Sequence, residues 1–361
     1  MPWLSDNLLK HLQSVVEAPD LGATKYRLLE KFAAGGMGTI YLAEDTQLQR
    51  RVALKVVHTP ETAHALSVRM LREARVIAQL EHPGIVPVHD VGELPDGRVF
   101  YVMKLVQGQR LDEYVRHELE LPERLRIFQK ACEAVAFAHS HGVLHRDLKP
   151  ENIMVGVFGE VLVMDWGLAK VLSEDAKIVD CESWIVDRAA STQLSTTNNQ
   201  QPATGNQHQT QHGTVLGTPA YMSPEQKRGE IEQLDQRTDV YALGAILAFL
   251  LNPSAAGLAQ AQLENNKASA STSLALAKLR APKQLLAVCT KAMAEDKAQR
   301  YESAQALAAD VERFLNGLTV SSYQENPFEI LWRWIRKFQF MILLVLVYLL
   351  VRILLFFWFR P

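Results

Sequence analysis

The sequence predicts an α+β fold in which strands precede helices and a C-terminal hydrophobic helix follows. Three observations support this prediction. Short apolar runs around a glycine-rich turn occupy the first part of the chain, up to about residue 106. Helical spacing of apolar residues dominates from residue 125 onwards, and the stretch 340–359 is apolar except for Arg352.

Composition and charge narrow the classes of function. With 361 residues, 48% of them apolar, the chain can form two lobes with separate cores and carry extensions. A formal net charge of −2 gives no overall attraction to nucleic acid, so nucleic acid is not a predicted partner. The cysteines Cys132, Cys181 and Cys289 lie far apart without CxxC spacing, and we expect reduced thiols of a cytosolic domain.

The first elements are strands around a turn rich in glycine. Residues 26–31 begin a strand, and the run 34–43 continues it through the turn. Glycines let backbone N–H groups approach a phosphate, although such a turn alone is as often a plain hairpin. The next strand, 52–57, carries Lys55 between apolar residues, where an ammonium group is costly to bury without a partner.

A helix and two more strands are expected next. Apolar residues at near-helical spacing predict a helix over 70–80 with Glu73 on its apolar side, which makes Glu73 the candidate partner of Lys55. The alternative is a surface charge network between Glu73 and neighbouring arginines. Residues 82–86 then end the helix and begin a strand, and 99–103 form another strand.

The second half of the chain has mainly helical patterns. A helix is predicted over 125–141, with Gly142 at its end. Clean helical spacing returns over 285–293 and 304–315. The stretch that precedes them, up to about residue 273, is rich in Ala, Gln and Ser.

The loop 145–152 carries the strongest chemical signal. It reads His-Arg-Asp-Leu-Lys-Pro-Glu-Asn and puts a carboxylate, a cation and an amide close together. Phosphoryl transfer needs such groups around a hydroxyl nucleophile and a metal-bound triphosphate. Asp147 can accept the hydroxyl hydrogen, Lys149 can steady the γ-phosphate, and Asn152 can ligate Mg²⁺. The alternative, a solvated charged loop, does not require this specific order.

A second motif follows after one short hairpin. The run 161–164 reads as a buried strand and leads into Asp165, Trp166 and Gly167. With these residues in place, the chain resembles the protein kinase family, in particular the bacterial serine/threonine kinases related to the eukaryotic ones. The resemblance covers roughly residues 26–317 and implies the two-lobed protein kinase fold, with a small antiparallel β-sheet lobe and a mainly helical lobe.

The resemblance implies a role for each polar residue of the cleft. Asp147 is the general base or hydroxyl positioner, and Asn152 and Asp165 hold Mg²⁺ or Mn²⁺. Lys55 pairs with the α/β-phosphates of ATP and with Glu73. Lys149 and Thr218 are typical of serine/threonine kinases and not of tyrosine kinases. The implied structural and regulatory residues are His145, Arg146, Trp166, Thr218, Glu225, Asp239 and Arg300; Asp239 anchors the catalytic loop, and Arg300 pairs with Glu225.

ATP is implied to bind between the lobes, with its adenine against a hinge over residues 104–106. Ala53 and Met154 would sandwich the base. Three positions depart from the family's pattern, because Ala33 replaces the first glycine of the loop, Lys104 replaces a common Glu, and Trp166 replaces the usual Phe. The implied ATP contacts, in chain order, are Phe32, Ala33, Ala34, Gly35, Gly36, Met37, Gly38, Ile40, Ala53, Lys55, Met103, Lys104, Val106 and Met154.

The activation segment is unusually long and polar. Residues 191–212 have almost no apolar content, so they cannot offset the entropy of ordering, and we predict a flexible insertion over 173–213. Arg146 would face a phosphorylated residue of this segment. The hypothesis is autophosphorylation at Thr214 or Thr210; a passive insertion is the alternative.

The tail predicts a single-pass membrane helix over 340–359, after a juxtamembrane linker over 318–339. Aromatic and basic residues before it place the kinase domain on the cytoplasmic side. A surface-lying or dimerising helix is the alternative, and a homodimer is left open.

The domain prediction is an N-terminal extension over 1–25 and a kinase domain over 26–317, with 26–106 as N-lobe and hinge and 107–317 as C-lobe. Protein substrates are the implied partners. A catalytically weak or dead scaffold is the rival function, favoured by Ala33, Lys104 and Trp166. A small-molecule kinase is disfavoured by the segment around residues 218–225.

Overall fold

The structure is a computed structural model, and it describes residues 18–35, 38–57, 74, 77–117, 119–166, 170–171, 220–252, 281–324, 335 and 338–358. Within these residues the chain forms two hydrophobic cores. One core lies in the N-terminal sheet around Leu54 and Val102, and the other lies among the later helices around Phe128 and Leu247. Two cores match the two lobes expected from the sequence.

The N-terminal lobe is a five-stranded sheet whose neighbouring strands are antiparallel, in the order β1-β2-β3-β5-β4. Burial alternates along β2, as expected for a sheet with one covered face. The register places Lys55 of β3 opposite Ile40 of β2 and Tyr101 of β5. The strands are β1 (Tyr26–Gly35), β2 (Gly38–Asp45), β3 (Arg50–Val57), β4 (Val88–Glu93) and β5 (Val99–Lys104).

The C-terminal lobe begins with short strands and a long helix. α2 is amphipathic, and its buried residues, such as Phe128 and Val135, enter the second core. The elements are β6 (Gly108–Arg110), α1 (Leu111–Tyr114), α2 (Leu121–Ser140), β7 (Val143–Leu144), a 3₁₀ turn (Pro150–Asn152), β8 (Ile153–Gly156), β9 (Val161–Val163) and β10 (Lys170–Val171). Strands β6, β8 and β9 form one small sheet, and β7 pairs with β10.

The remaining helices complete the lobe. α4 (Gln236–Leu251) is buried on most sides and packs against α2, α5 (Lys283–Ala292) and α6 (Ala304–Leu315). Ser223 begins α3 with a reciprocal side-chain cap to Gln226, and Asp235 and Ser303 cap α4 and α6. The elements are α3 (Pro224–Lys227), a 3₁₀ turn (Ile231–Gln233), α4 (Gln236–Leu251), α5 (Lys283–Ala292), a 3₁₀ turn (Lys297–Gln299), α6 (Ala304–Leu315) and α7 (Gln339–Trp358).

Several boundaries differ from the sequence-based expectations. α2 begins at Leu121 and not at Leu125, because Pro122 is compatible with the first helical turn. β4 begins at Val88, later than expected, since Ile85 instead makes an isolated parallel bridge to Val163 of the other lobe.

The C-terminal hydrophobic helix is present as α7, but its predicted role as a membrane span is not supported. Among the helices that the structure describes, none is long and apolar enough to cross a membrane.

Candidate active site

The loop between β7 and β8 folds back on itself around Asp147. The Asp147 side chain is buried, and the Lys149 ammonium donates to its Oδ2 atom at 2.8 Å. The Asn152 amide donates to the Asp147 backbone carbonyl at 2.8 Å. Three residues that the sequence selected from this loop therefore lie in mutual contact.

A buried carboxylate from α4 fixes the start of this loop. Asp239 accepts the backbone N–H of His145 at 2.8 Å and that of Arg146 at 2.9 Å. Gln226 of α3 donates to the Arg146 carbonyl at 2.7 Å. Both polar groups of the Arg146 peptide unit are therefore held while its φ is +69°, a value that costs free energy for a residue other than glycine.

Asp165 reaches the same place from the end of β9. The Met164 N–H donates to the Asn152 carbonyl at 2.8 Å, and His145 Nε2 donates to the Met164 carbonyl at 2.9 Å. These backbone contacts tie the residue before Asp165 to the loop. The Trp166 ring is buried, and its centroid lies 4.6 Å from that of His145.

Lys55 connects the two lobes electrostatically. Its buried ammonium group donates to Asp165 Oδ1 and lies 5.8 Å from the centre of the Tyr101 ring. Burial alone would lower the pKa of Lys55, but Tyr101 and Asp165 outweigh burial, so this pKa is raised. At neutral pH the Tyr101 phenol is uncharged, which makes the Asp165 carboxylate the operative partner.

The pKa of Asp165 is shifted in the opposite direction to that of Lys55. Burial would raise its pKa, but the charge and hydrogen bond of Lys55 outweigh burial and lower it, with further contributions from His145 and Lys149. The carboxylate is therefore ionised at neutral pH, and its φ of +57° is a second strained backbone value beside the loop.

The side-chain oxygen atoms of Asn152 and Asp165 are suited to bind a hard divalent cation. Asn152 turns its amide nitrogen towards Asp147, so its amide oxygen is the end available to a metal. An amide oxygen and the ionised Asp165 carboxylate are oxygen ligands of the type that Mg²⁺ and Mn²⁺ prefer.

The apolar residues expected to contact adenine lie on strands β3, β5 and β8. Ala53 is buried and pairs across the sheet with Met103, which is half-buried like Met154. The Lys104 side chain is exposed, while its backbone N–H donates to the Pro87 carbonyl at 3.1 Å. Across the β1–β2 hairpin, Ala33 pairs with Ile40. Phe32, Ala33 and Ala34 are exposed, Val106 is half-buried, and Gly35 and Gly38 close the described part of the hairpin.

Arg300 and Glu225 form a bidentate ion pair in the C-terminal lobe. Arg300 Nη1 and Nη2 donate to the Glu225 carboxylate oxygens at 2.7 and 2.8 Å, and both side chains are buried. Thr238 of α4 donates to the same carboxylate at 3.1 Å. The pair joins α3 to the turn before α6 and so fixes the helix that carries Gln226.

Six residues selected from the sequence lie outside the residues that the structure describes: Gly36, Met37, Glu73, Thr210, Thr214 and Thr218. The predicted insertion over 173–213 and the partnership of Glu73 with Lys55 stay predictions for the same reason. Cys132 and Cys289 are buried free thiols, and Cys181 lies outside the described residues.

Sequence reasoning missed three residues that contact the site. Gln226 holds the Arg146 carbonyl, Tyr101 faces the Lys55 ammonium, and His139 donates to Asp239 at 2.7 Å. No local pattern identifies them, because each reads as an ordinary residue of a helix or strand. Their contacts come from residues distant in sequence.

Comparison with known proteins is consistent with this geometry. Residues 26–311 match the sequence model of the family described as "Protein kinase domain". Two relatives, both described as "Serine/threonine-protein kinase PknD", come from Protochlamydia amoebophila and Chlamydia caviae. They are 33% and 34% identical to the chain over 81% of its length. The chain spans only 30% and 31% of the length of these relatives.

Solved structures show the same fold. A crystal structure of the Mycobacterium tuberculosis PknI kinase domain superimposes with a TM-score of 0.56 at 23% identity, and covers 80% of this chain and 96% of that one. A second PknI kinase-domain structure gives a TM-score of 0.54, also at 23% identity, over 82% of this chain and 97% of that one.

Proposed function

Because the chain belongs to the protein kinase domain family, we propose that it transfers the γ-phosphate of ATP to serine and threonine hydroxyls of proteins. The observation that carries the proposal is the convergence of Lys55, Asp147, Asn152 and Asp165 through direct contacts from both lobes. The relatives described as serine/threonine kinases support the choice of hydroxyl.

Each residue has a task that follows from its position. Asp147 would accept the hydrogen of the attacking hydroxyl, and Lys149, which already contacts it, would neutralise charge that develops on the transferred group. Lys55 would orient the phosphates. Asn152 and Asp165 would hold Mg²⁺, which supplies charge neutralisation of the triphosphate when bound.

The rival function is a scaffold that binds partners without catalysis. Its support comes from Ala33, Lys104 and Trp166, which depart from the family's pattern. The described contacts of these residues give no reason for inactivity, since Ala33 continues the hairpin register and Trp166 packs against His145. An intact set of catalytic side chains favours the enzyme.

Transfer of labelled phosphate from ATP to a generic basic protein tests the proposal. We expect Mg²⁺-dependent labelling, and acid hydrolysis of the product should release phosphoserine or phosphothreonine. Label recovered only as phosphotyrosine would contradict the choice of hydroxyl. ATP binding without any transfer would favour the scaffold.

We also propose that the kinase phosphorylates its own activation segment at Thr214 or Thr210. The support is the polar composition of residues 191–212 and the basic residue Arg146 beside the catalytic Asp. Phosphopeptide mapping of the wild type beside Asp147→Asn checks this. A phosphate-free wild type that still labels other proteins would refute it.

We propose further that α7 attaches the kinase to a membrane. Its support is a helix of 20 residues whose described apolar side chains are exposed, including Leu343, Leu350 and Leu354. Apolar exposure on this scale needs a covering surface.

Deletion of residues 339–361 tests the attachment. The full chain should sediment with membranes and the deleted chain should not, with kinase activity measured on both as the control. Release by alkaline carbonate would indicate surface attachment, and resistance would indicate the single-pass arrangement predicted from the sequence. A full chain that stays in the supernatant as a dimer would refute the proposal.

A further inference from the structure

The strap, residues 318–323, follows α6 and packs against the C-terminal lobe, although the sequence predicts a linker from residue 318 onwards. Gly317 turns the chain at a φ of +67°, and the Leu318 N–H donates to the Arg313 carbonyl at 2.8 Å. Val320 is 2% exposed and belongs to the second core. The folded lobe therefore extends beyond residue 317.

Asp310 of α6 is the polar anchor of the strap. The residue is 1% exposed. Its Oδ1 atom accepts the Ser321 backbone N–H at 2.9 Å, and its Oδ2 atom accepts the Ser321 hydroxyl at 2.7 Å. The Tyr301 hydroxyl, from the turn before α6, also donates to Oδ2 at 2.7 Å. Ser321 therefore supplies two of the hydrogen bonds that replace the lost hydration of a buried carboxylate.

The Asp310 carboxylate is ionised at neutral pH. Burial would raise its pKa, but the hydrogen bonds from Ser321 and Tyr301 outweigh burial and lower this pKa. Ser321 itself is exposed, so its hydroxyl lies at the boundary between solvent and a buried negative charge. A second negative charge on this hydroxyl is repelled by Asp310 and loses hydration if it stays in place.

We propose that Ser321 is a phosphorylation site of this kinase and that phosphate on its hydroxyl releases the strap from Asp310. In the transfer, the Ser321 oxygen bonds to the γ-phosphorus of ATP, and the bond from that phosphorus to the β–γ bridging oxygen breaks. ADP leaves with the electron pair of that bond, and Asp147 takes the hydroxyl proton. The inference rests on the proposed kinase function and adds an acceptor outside the activation segment.

The strap is suited to transient opening, which exposes the hydroxyl to a kinase, because much of it faces solvent. Val320 is buried, whereas Leu318 is 52% exposed and Thr319 is exposed. Arg313 offers a partner to the released phosphate, since its half-exposed guanidinium lies 3.3 Å from Asp310 Oδ1. Release of the strap adds at most about 20 Å of extended chain between α6 and α7. The catalytic lobe then reaches further from α7.

Substitutions at Ser321 test the release without any need for kinase activity. Ser321→Asp places a negative charge against Asp310, and Ser321→Asn has a similar shape without the charge. We expect amide hydrogen exchange of the strap to be about tenfold or more faster in Ser321→Asp than in Ser321→Asn, because hydrogen bonds to a buried carboxylate are lost. Equal exchange in the two variants overturns the release.

Thr319→Asp is the control for added charge alone, since Thr319 is an exposed residue of the same strap. Its strap should exchange at the wild-type rate. Exchange within α4 should stay unchanged in every variant, which shows that the lobe remains folded.

Phosphopeptide mapping and hydrogen exchange of the dephosphorylated full chain, after incubation with Mg²⁺·ATP, test the modification. We expect phosphate on Ser321 in the wild type but not in Asp147→Asn, and the phosphorylated strap should exchange as fast as that of Ser321→Asp. A wild type that labels a generic basic protein while its Ser321 stays free of phosphate overturns the proposal. A phosphorylated strap that exchanges as slowly as the unmodified one also overturns it. Labelling of the basic protein reports on the kinase function separately, so failure of the function is distinguishable from failure of this inference.

Discussion

Lys55 and Asp165 form a contact that only the folded chain could reveal. The pairing of Lys55 with Glu73 stays a prediction, since Glu73 lies outside the described residues, and the structure adds a contact of the Lys55 ammonium group with the Asp165 carboxylate. The two residues are 110 positions apart, so neither spacing nor periodicity could have paired them. Their opposite pKa shifts show that each stabilises the charged form of the other.

Substitution of Lys55 by Met should therefore damage catalysis more than folding. We expect phosphate transfer to fall by about a hundredfold or more, because a preorganised charge facing the phosphates is removed. Lys31→Met is the matched control, since Lys31 is an exposed lysine of the same sheet. Steady-state transfer assays check the expectation, and unchanged activity in Lys55→Met would contradict the assigned role.

The lowered pKa of Glu225 predicts how the stability of the folded protein depends on pH. Burial would raise its pKa, but the hydrogen bonds from Arg300 outweigh burial and hold it below the ordinary value of 4.5. A lowered folded-state pKa contributes stability that is present above about pH 4.5 and is lost as the pH falls through the folded value.

Denaturant unfolding of the wild type and Glu225→Gln between pH 7 and pH 3 checks this. At pH 7 the variant should lose about 3–5 kcal/mol, because Arg300 is left buried without its partner. The difference should shrink below about pH 4.5. A difference independent of pH would show that the ion pair is not its origin. Asp96→Asn serves as the control, since Asp96 is exposed in its ion pair with Arg98.

At the scale of elements, α2 shows why periodicity predicted helices better than their ends. Its buried residues repeat along one face, and that pattern alone identified the helix. The start of α2 depends on Pro122, because its fixed φ suits the first turn of a helix. Pro122 does not belong to the buried face, so the repeat of apolar residues did not include it. The start of β4 was missed for another reason, because the bridge from Ile85 to Val163 is a contact between lobes.

Substitution of two phenylalanines tests how much the burial of α2 contributes to the free energy of unfolding. Phe128 is fully buried in the second core, whereas Phe158 is 94% exposed at the β8–β9 turn. Phe128→Ala should cost about 3–5 kcal/mol of unfolding free energy, and Phe158→Ala should change it by less than about 0.5 kcal/mol. Chemical denaturation compares the two. Similar losses in both variants would contradict the assignment of α2 to the core.

At the scale of the whole molecule, the motifs predicted the architecture because they fall in a fixed order along the chain. The strand with Lys55, the loop 145–152 and the strand before Asp165 identified the fold, and the two cores and the sheet order agree with it. The resemblance implied that Asp239 anchors the loop, but it did not identify His139 and Gln226, which act through tertiary contacts.

The apolar C-terminal segment shows a second limit of prediction from the sequence. Hydropathy alone predicted a membrane span, and the structure supports only the helix, since no described helix is long and apolar enough to cross a membrane. The composition of a segment indicates that the segment needs an apolar environment. It does not indicate which surface provides that environment.

We propose that contacts between the lobes bring the catalytic residues together into one phosphotransfer centre. Single-turnover transfer from Mg²⁺·ATP by the wild type, Asp147→Asn and Asp96→Asn tests it most directly. Asp147→Asn should slow transfer by about a hundredfold or more while ATP binding persists, and Asp96→Asn should match the wild type. Transfer by Asp147→Asn at the wild-type rate would rule out the role assigned to Asp147.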